Sequence, residues 1–133
     1  MKSFKKGILA LGLTLGIIAS VGGGSSLAYG TEGAMVNGHY AKGSSYCFSS
    51  YGTGSTSYNS SGYLVVNSVY NYVNTKTLST GTKTKSSTRN NSNYTYVDIL
   101  APNNCRSANM HSTHVVSSGG KTWTGLTDNT RYT

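Results

Sequence analysis

The segment from Tyr63 to Asn74 constrains the fold most, because its apolar residues recur at every second position. One face carries a leucine, a valine, a serine and two tyrosines: Leu64, Val66, Ser68, Tyr70 and Tyr72. The other face alternates valine with asparagine. β-branched and aromatic residues at a period of two are typical of a strand and unfavourable in a helix. We therefore expect a β-strand whose first face lies in the core and whose second face is half exposed.

The rest of the chain beyond residue 28 also lacks helical periodicity. Further strands are predicted around Cys47 and at residues 77–88, 94–100, 105–117 and 121–126. Clusters of glycine, serine and asparagine predict turns at residues 52–55, 59–62, 89–93 and 118–120. About five to eight short antiparallel strands of this kind indicate an all-β fold, a small antiparallel β-sandwich or barrel.

Residues 1–28 have the pattern of an export signal. A lysine-rich start precedes an uncharged, mostly apolar run at residues 7–21, and Ser26 and Ala28 supply the small residues that a signal peptidase recognises. The run is shorter than the roughly 20 apolar residues that span a bilayer. We therefore predict a cleaved signal peptide and a secreted, extracellular product that is not an integral membrane protein.

Composition divides the chain into three parts. Residues 1–28 are the signal peptide, and residues 29–44 contain glycines and isolated apolar residues without a period. We expect this second part to be a flexible lead-in. Residues 45–133 are predicted to form a single β-sandwich-like domain.

The predicted product is basic mainly because acidic residues are scarce. Beyond residue 28, eight lysine and arginine residues stand against three acidic residues, and all eleven tyrosines lie there as well. Tyrosine, valine and threonine favour strands, whereas a disordered chain would contain few aromatic residues. The composition therefore indicates a folded β-domain with a positive surface.

The two cysteines, Cys47 and Cys105, both follow the signal. In an oxidising compartment such a pair is expected to form one disulfide bond, and two free thiols are the alternative. A loop of about 60 residues closed in this way would stabilise the fold by roughly 4 kcal/mol in the chain-entropy view. Trp123 is expected in the core near this disulfide.

Few side chains could carry out catalysis. Asp98 and Asp128 are the candidates for a paired-carboxylate hydrolase, but they belong to no motif. His111 and His114 could join a triad or a metal site, yet on a strand their odd spacing places them on opposite faces. Residues 119–122 match only the end of a phosphate-binding loop. We therefore predict a non-enzymatic protein with no metal, no cofactor and no nucleotide ligand.

A basic surface with interspersed tyrosines is the strongest candidate for a binding site. The candidate residues carry a positive charge or an aromatic ring: Lys76, Lys83, Lys85, Arg89, Tyr94 and Tyr96. Such a surface would attract an anionic cell-wall polymer, a glycan or a lipid surface by summed electrostatics. The alternative is structural, because lysines also protect the exposed edge strand of a sheet from pairing with other chains.

A second function class also fits the chain. Small size, export, basic charge and a glycine-rich β composition are ordinary features of a bacteriocin-like antimicrobial protein that acts on related bacteria. In this format the chain resembles the lactococcin 972-like bacteriocins, which are also small exported β proteins. The resemblance rests on no shared run of residues, so it assigns no role to any position.

Overall fold

The computed structural model of the protein describes residues 28–131. Within them the chain forms seven β-strands and no helix, which confirms the predicted all-β class. The strands are β1 (Ala28–Tyr29), β2 (Thr31–Val36), β3 (His39–Cys47), β4 (Tyr51–Asn74), β5 (Thr80–Leu100), β6 (Cys105–Ser118) and β7 (Lys121–Thr130). The predicted signal peptide, except for Ala28, lies outside the described residues.

The long hairpin of β4 and β5 organises the sheet. β5 pairs with β4 along its whole length, while β3 and β6 pair with the first and second parts of β4. The β4–β5 ladder shifts register between Ser57 and Leu64, and the hairpin bends there. We call the part with β2, β3, residues 51–58 and residues 94–100 sheet 1. Sheet 2 contains residues 80–89, residues 62–74, β6, β7 and β1.

The start of the described chain joins the two sheets into a nearly closed, barrel-like structure. β1 pairs in parallel with β7 of sheet 2, and β2 pairs antiparallel with β3 of sheet 1. Between them the Gly30 N–H donates to the carbonyl of Asp128 at 2.7 Å, and the Gly30 carbonyl accepts from the Ser45 N–H at 2.8 Å. Gly30 can make both backbone hydrogen bonds because it adopts a φ of 73°, which glycine tolerates and most other residues do not.

The segment 29–44 differs from the expected flexible lead-in. It contains β2 and most of β3, and both strands pair within the sheet. The inward positions are filled by small residues such as Ala34, Ala41 and Gly43, so the segment has no hydrophobic period for a sequence pattern to reveal. Pairing with neighbouring strands, and not local propensity, orders this segment.

The predicted turns and core faces of β4 are partly corrected. Residues 52–55, 59–62 and 89–93 are all strand and not turns, and the last two clusters lie where the β4–β5 register shifts and the hairpin bends. Leu64, Val66 and Tyr70 are fully buried, as predicted. The second face is less exposed than expected, since Val65 and Asn67 are also buried between the neighbouring strands β5 and β6.

The interior has two apolar clusters. The first is formed by Val36, Ala41, Tyr58, Leu64 and Val116, with Trp123 packed against it. The second is formed by Val66, Tyr70, Val97, Ile99 and Met110, with Cys47, Tyr72 and Ala101 packed against it. Trp123 is therefore half-buried and lies with the first cluster, whereas Cys47 lies with the second.

A layer of hydrogen-bonded polar side chains separates the two clusters. Ser112 is bonded to Ser45 and to Ser68 at 2.7 Å each, and Ser45 is 2.6 Å from the Thr127 hydroxyl. Thr127 continues to Nε2 of His114 at 2.7 Å. Because each member has a partner, the layer avoids the cost of unpaired buried polar groups.

His114 is completely buried in this layer, with its ring stacked on Trp123 at 6.4 Å between centroids. The Thr56 hydroxyl donates to the Val65 carbonyl at 2.8 Å, so it accepts from the Nδ1–H of His114 at 2.9 Å. Nε2 faces the Thr127 hydroxyl at 2.7 Å, and complete burial of the ring favours the neutral imidazole. Burial lowers the pKa of His114 to about 3.

Glycines on sheet 1 let the two sheets approach closely. A Cβ at Gly43 would collide with the ring of His114, and a Cβ at Gly54 would collide with the hydroxyls of Ser68 and Ser112. Because sheet 1 has no side chains at these two glycines, the polar side chains of sheet 2 can pack directly against its backbone.

We expect Gly54→Ala to lower the free energy of unfolding by about 1–3 kcal/mol, because the added methyl group must displace hydrogen-bonded hydroxyls. Elsewhere in a strand the same change is often stabilising. Urea denaturation measures the effect, with Ser55→Ala on the outer side of the strand as the control. A Gly54→Ala protein as stable as the wild type would contradict the close approach.

We also expect acid to destabilise the fold through His114. Its folded-state pKa lies below the value of about 6.5 in an unfolded chain, so the unfolded state binds more protons as the pH falls through this range. The free energy of unfolding should drop by about 2–3 kcal/mol between pH 7 and pH 4.5. Urea denaturation at both pH values should show a smaller drop for His114→Gln. The control is His39→Gln at an exposed position, and equal drops in wild type and His114→Gln would refute this account.

Candidate binding face

Lys83 and Lys85 share one strand face, but they are engaged with the chain itself. The hairpin bend brings the two halves of β5 towards each other. Lys83 Nζ donates to the Leu100 carbonyl at 3.0 Å, and Lys85 Nζ donates to the Asp98 carbonyl at 3.0 Å and to its carboxylate at 3.3 Å. These lysines therefore occupy backbone acceptors on the outer edge of residues 94–100, the structural role expected of edge lysines.

The predicted basic cluster is therefore divided. Lys76 lies in the turn between β4 and β5, where its backbone N–H donates to the Asn74 side chain at 2.9 Å. Only Arg89 of the four basic residues lines a groove with Tyr94 and Tyr96. Arg89 is exposed and makes no hydrogen bond or ion pair within residues 28–131.

The outer face of sheet 1 carries an ordered set of side chains. Its strand register aligns three rows from β3 over β4 to β5: Lys42–Ser57–Tyr94, Ser44–Ser55–Tyr96 and Tyr46–Thr53–Asp98. Side chains in one row share a face of the sheet. Because strands lie about 4.8 Å apart, the side chains on β3 and β5 stand about 10 Å from each other.

We name this surface the tyrosine trough. Its floor is formed by the short hydroxyl side chains of β4, Thr53, Ser55 and Ser57, and its walls by Lys42 and Tyr46 on one side and Tyr94 and Tyr96 on the other, with Ser44 buried at the foot of the β3 wall. The rings of Tyr94 and Tyr96 are nearly parallel, at 15° and 6.5 Å between centroids. Both are about half exposed, at 50% and 45%.

One end of the trough is closed by an aromatic stack whose residues are not among those predicted for the site. Phe48 stacks on Tyr51 at 4.6 Å between centroids, and Tyr46 lies 6.4 Å from Phe48. Tyr51 is paired with Leu100 of β5 on the same face. The alternation around Cys47 was the available signal, because it places Tyr46 and Phe48 on the side opposite to the cysteine.

Exposed hydrophobic side chains concentrate on this face. Nine large ones are exposed within the described residues, and Leu78 in the β4–β5 turn is the exception among them. The others lie on or against the outer face of sheet 1: Met35, Tyr40, Tyr46, Phe48, Tyr51, Tyr94, Tyr96 and Leu100. The gathering of exposed apolar side chains on one face makes that face the leading candidate for an interaction site.

The candidate catalytic residues lie apart from one another. Asp98 is on the outer face of sheet 1 with Lys85, whereas Asp128 is on the outer face of sheet 2, 2.6 Å from Nδ1 of His111. His111 and His114 lie on opposite faces of β6, as their spacing predicts, and His114 is completely buried. Within residues 28–131, no three histidine, cysteine or acidic side chains form a metal-binding group.

Cys47 and Cys105 are free thiols, so the predicted disulfide is not formed in this structure. Ser107, two residues beyond Cys105 on the same strand, lies close enough to the Cys47 thiol to counter part of the rise in its pKa. Cys47 therefore neighbours Ser107 on β6, and the structure bonds it to no other sulfur. Burial, ahead of all other effects, raises the pKa of the Cys47 thiol.

The comparisons with known proteins assign no family. No protein-family model matches the chain, and no curated protein or solved structure matches it either. In the part of the chain that the structure describes, no helix is long and apolar enough to cross a membrane.

We expect the double substitution Lys83→Gln with Lys85→Gln to lower the melting temperature modestly. Each lysine donates a half-exposed hydrogen bond to the opposite half of β5, a contribution of about 1 kcal/mol or less. Differential scanning calorimetry measures the effect. The control replaces Lys76 and Lys121 by glutamine, which removes the same charge without removing a bond across β5. Equal shifts of the melting temperature in the two variants would mean that Lys83 and Lys85 act only through their charge and not through these hydrogen bonds.

Proposed function

We propose that this protein is a secreted, non-enzymatic binding domain that attaches to an anionic polymer or glycan of a cell envelope through the tyrosine trough. The single observation that supports this most is the placement of half-exposed tyrosines on both sides of a hydroxyl-lined floor. Of the predicted basic, tyrosine-bearing surface, Tyr94 and Tyr96 belong to this outer face of sheet 1.

The chemistry of the trough suits a hydrated polymer. A tyrosine ring offers an apolar face to the C–H groups of a sugar and a hydroxyl group to its polar edge. Short serine and threonine side chains leave room on the floor and can exchange hydrogen bonds with hydroxyl groups. A width of about 10 Å between the walls accepts one extended chain lying along the sheet.

The charge of the protein adds attraction at longer range. Eight basic residues stand against three acidic ones beyond residue 28, and the carboxylate of Asp98 on this face is paired with Lys85. Lys42 on one wall and Arg89 next to the other contribute positive charge. Such summed attraction concentrates an anionic polymer at the surface and weakens as salt screens it.

Co-sedimentation with purified cell walls tests the proposal. The wild-type protein should sediment with walls at low salt and be released as salt is raised. Tyr46→Ala combined with Tyr96→Ala should weaken binding by about tenfold or more, because it removes an aromatic surface from each wall. Leu78→Ala is the matched control, since it removes an exposed apolar side chain away from the trough.

Absence of binding to walls, acidic glycans and anionic lipid vesicles at low salt would exclude this function. The predicted alternative is an antimicrobial protein, and a lawn assay on related bacteria distinguishes it. Clearing of the lawn that persists in the double tyrosine variant would favour the antimicrobial function over the binding domain.

A further inference from the structure

A polar cleft at the β4–β5 bend adjoins the tyrosine trough, and we propose that it binds a carboxylate-bearing sugar unit of the polymer. This inference rests on the proposed function and narrows its ligand class. The cleft, named here the bend cleft, combines two grooves of about 500 Å³ and about 400 Å³ that share Ser92 and Asn93. Tyr94 and Tyr96 line the second groove, so the bend cleft continues into one wall of the trough.

The bend itself creates the cleft. The β4–β5 pairing passes from Ser57–Tyr94 directly to Gly62–Ser92, so four residues of β4 face a single residue of β5. Asn59, Ser60 and Ser61 form the β4 side of the first groove as a result. On the β5 side, Asn91 has a φ of 47°, a conformation that asparagine tolerates better than most residues.

Several polar side chains of the cleft are not used by the fold, although the hydroxyls of Ser87 and Ser92 are bonded to Thr95 and to the Tyr94 carbonyl. The side-chain amides of Asn59, Asn91 and Asn93 make no hydrogen bond to any residue in the range 28–131, and neither does the guanidinium of Arg89. Each amide can donate and accept at once, which matches the neighbouring hydroxyl groups of a sugar. Asn59 and Asn91 line the first groove, Arg89 lines the second and Asn93 lines both, so these groups can converge on one ligand that spans the two grooves.

Arg89 determines the charge of the expected ligand. A guanidinium presents a planar fork of N–H donors that binds a carboxylate or a phosphate through two parallel hydrogen bonds. The neighbouring rings of Tyr94 and Tyr96 select between these two anions. A carboxylated sugar holds its anion on a ring that can stack on tyrosine, whereas a glycerol phosphate chain has no ring to stack.

Isothermal titration calorimetry with polygalacturonate, a polymer of carboxylated sugars, tests the inference. The matched probes are fully methyl-esterified polygalacturonate, which has the same rings without the charge, and poly(glycerol phosphate), which has the charge without the rings. The wild-type protein should bind polygalacturonate at least about tenfold more tightly than either probe.

Substitutions at two arginines distinguish binding in the cleft from a general effect of positive charge. Arg89→Gln should weaken binding of polygalacturonate by about tenfold or more, and Arg89→Lys should restore only part of it because the fork is lost. Arg106→Gln removes the same charge from an exposed position on β6 and should change binding by less than about twofold.

Every result decides the question. Equal losses in Arg89→Gln and Arg106→Gln, or equal affinity for polygalacturonate and poly(glycerol phosphate), would overturn the sugar site and leave the proposed function standing. Binding to none of the three polymers together with retained sedimentation on cell walls would do the same. Loss of wall binding as well would remove the proposed function itself.

Discussion

The close approach of the two halves of the bent β4–β5 hairpin is the constraint on which the structure depends. Sheet 1 has glycines, Gly43 and Gly54, where it packs against sheet 2. The space that a Cβ would need there is occupied by the ring of His114 and by the hydroxyls of Ser68 and Ser112. A layer of hydroxyls and a neutral imidazole can be buried there because its members bond to one another. The core is therefore thin and specific, and its stability depends on keeping that imidazole uncharged.

A thin core leaves little room for eleven tyrosines. Tyr58 and Tyr70 are buried, and each has a partner for its hydroxyl: the Val36 carbonyl at 2.8 Å and the Ser107 hydroxyl at 2.5 Å. Five others are exposed and lie on the outer face of sheet 1: Tyr40, Tyr46, Tyr51, Tyr94 and Tyr96. Nothing in the packing of the fold requires aromatic rings on that surface, so their concentration there is better explained by a ligand than by stability.

The sequence revealed the features that depend on local pattern. Period-two alternation identified the inward face of Leu64 and Val66, and the odd spacing of His111 and His114 placed them on opposite faces. It could not reveal features that depend on pairing between distant residues. The inward glycines of β3 and β4 look like turn residues until sheet 2 lies against them, and the trough exists only because β4 brings Tyr46 and Tyr96 to either side of itself.

The lysines show why charge alone was an incomplete guide to the site. Lys83 and Lys85 are the densest positive charge on one strand face, yet their ammonium groups bond to carbonyls of the opposite half of β5. They keep the open edge of residues 94–100 from pairing with other chains and hold the second half of β5, with Tyr94 and Tyr96, in place. In the proposed function their contribution to binding would be indirect, through the position of the aromatic wall. Arg89 makes no such bond within the described residues and lines a groove, so its guanidinium can contact a ligand directly.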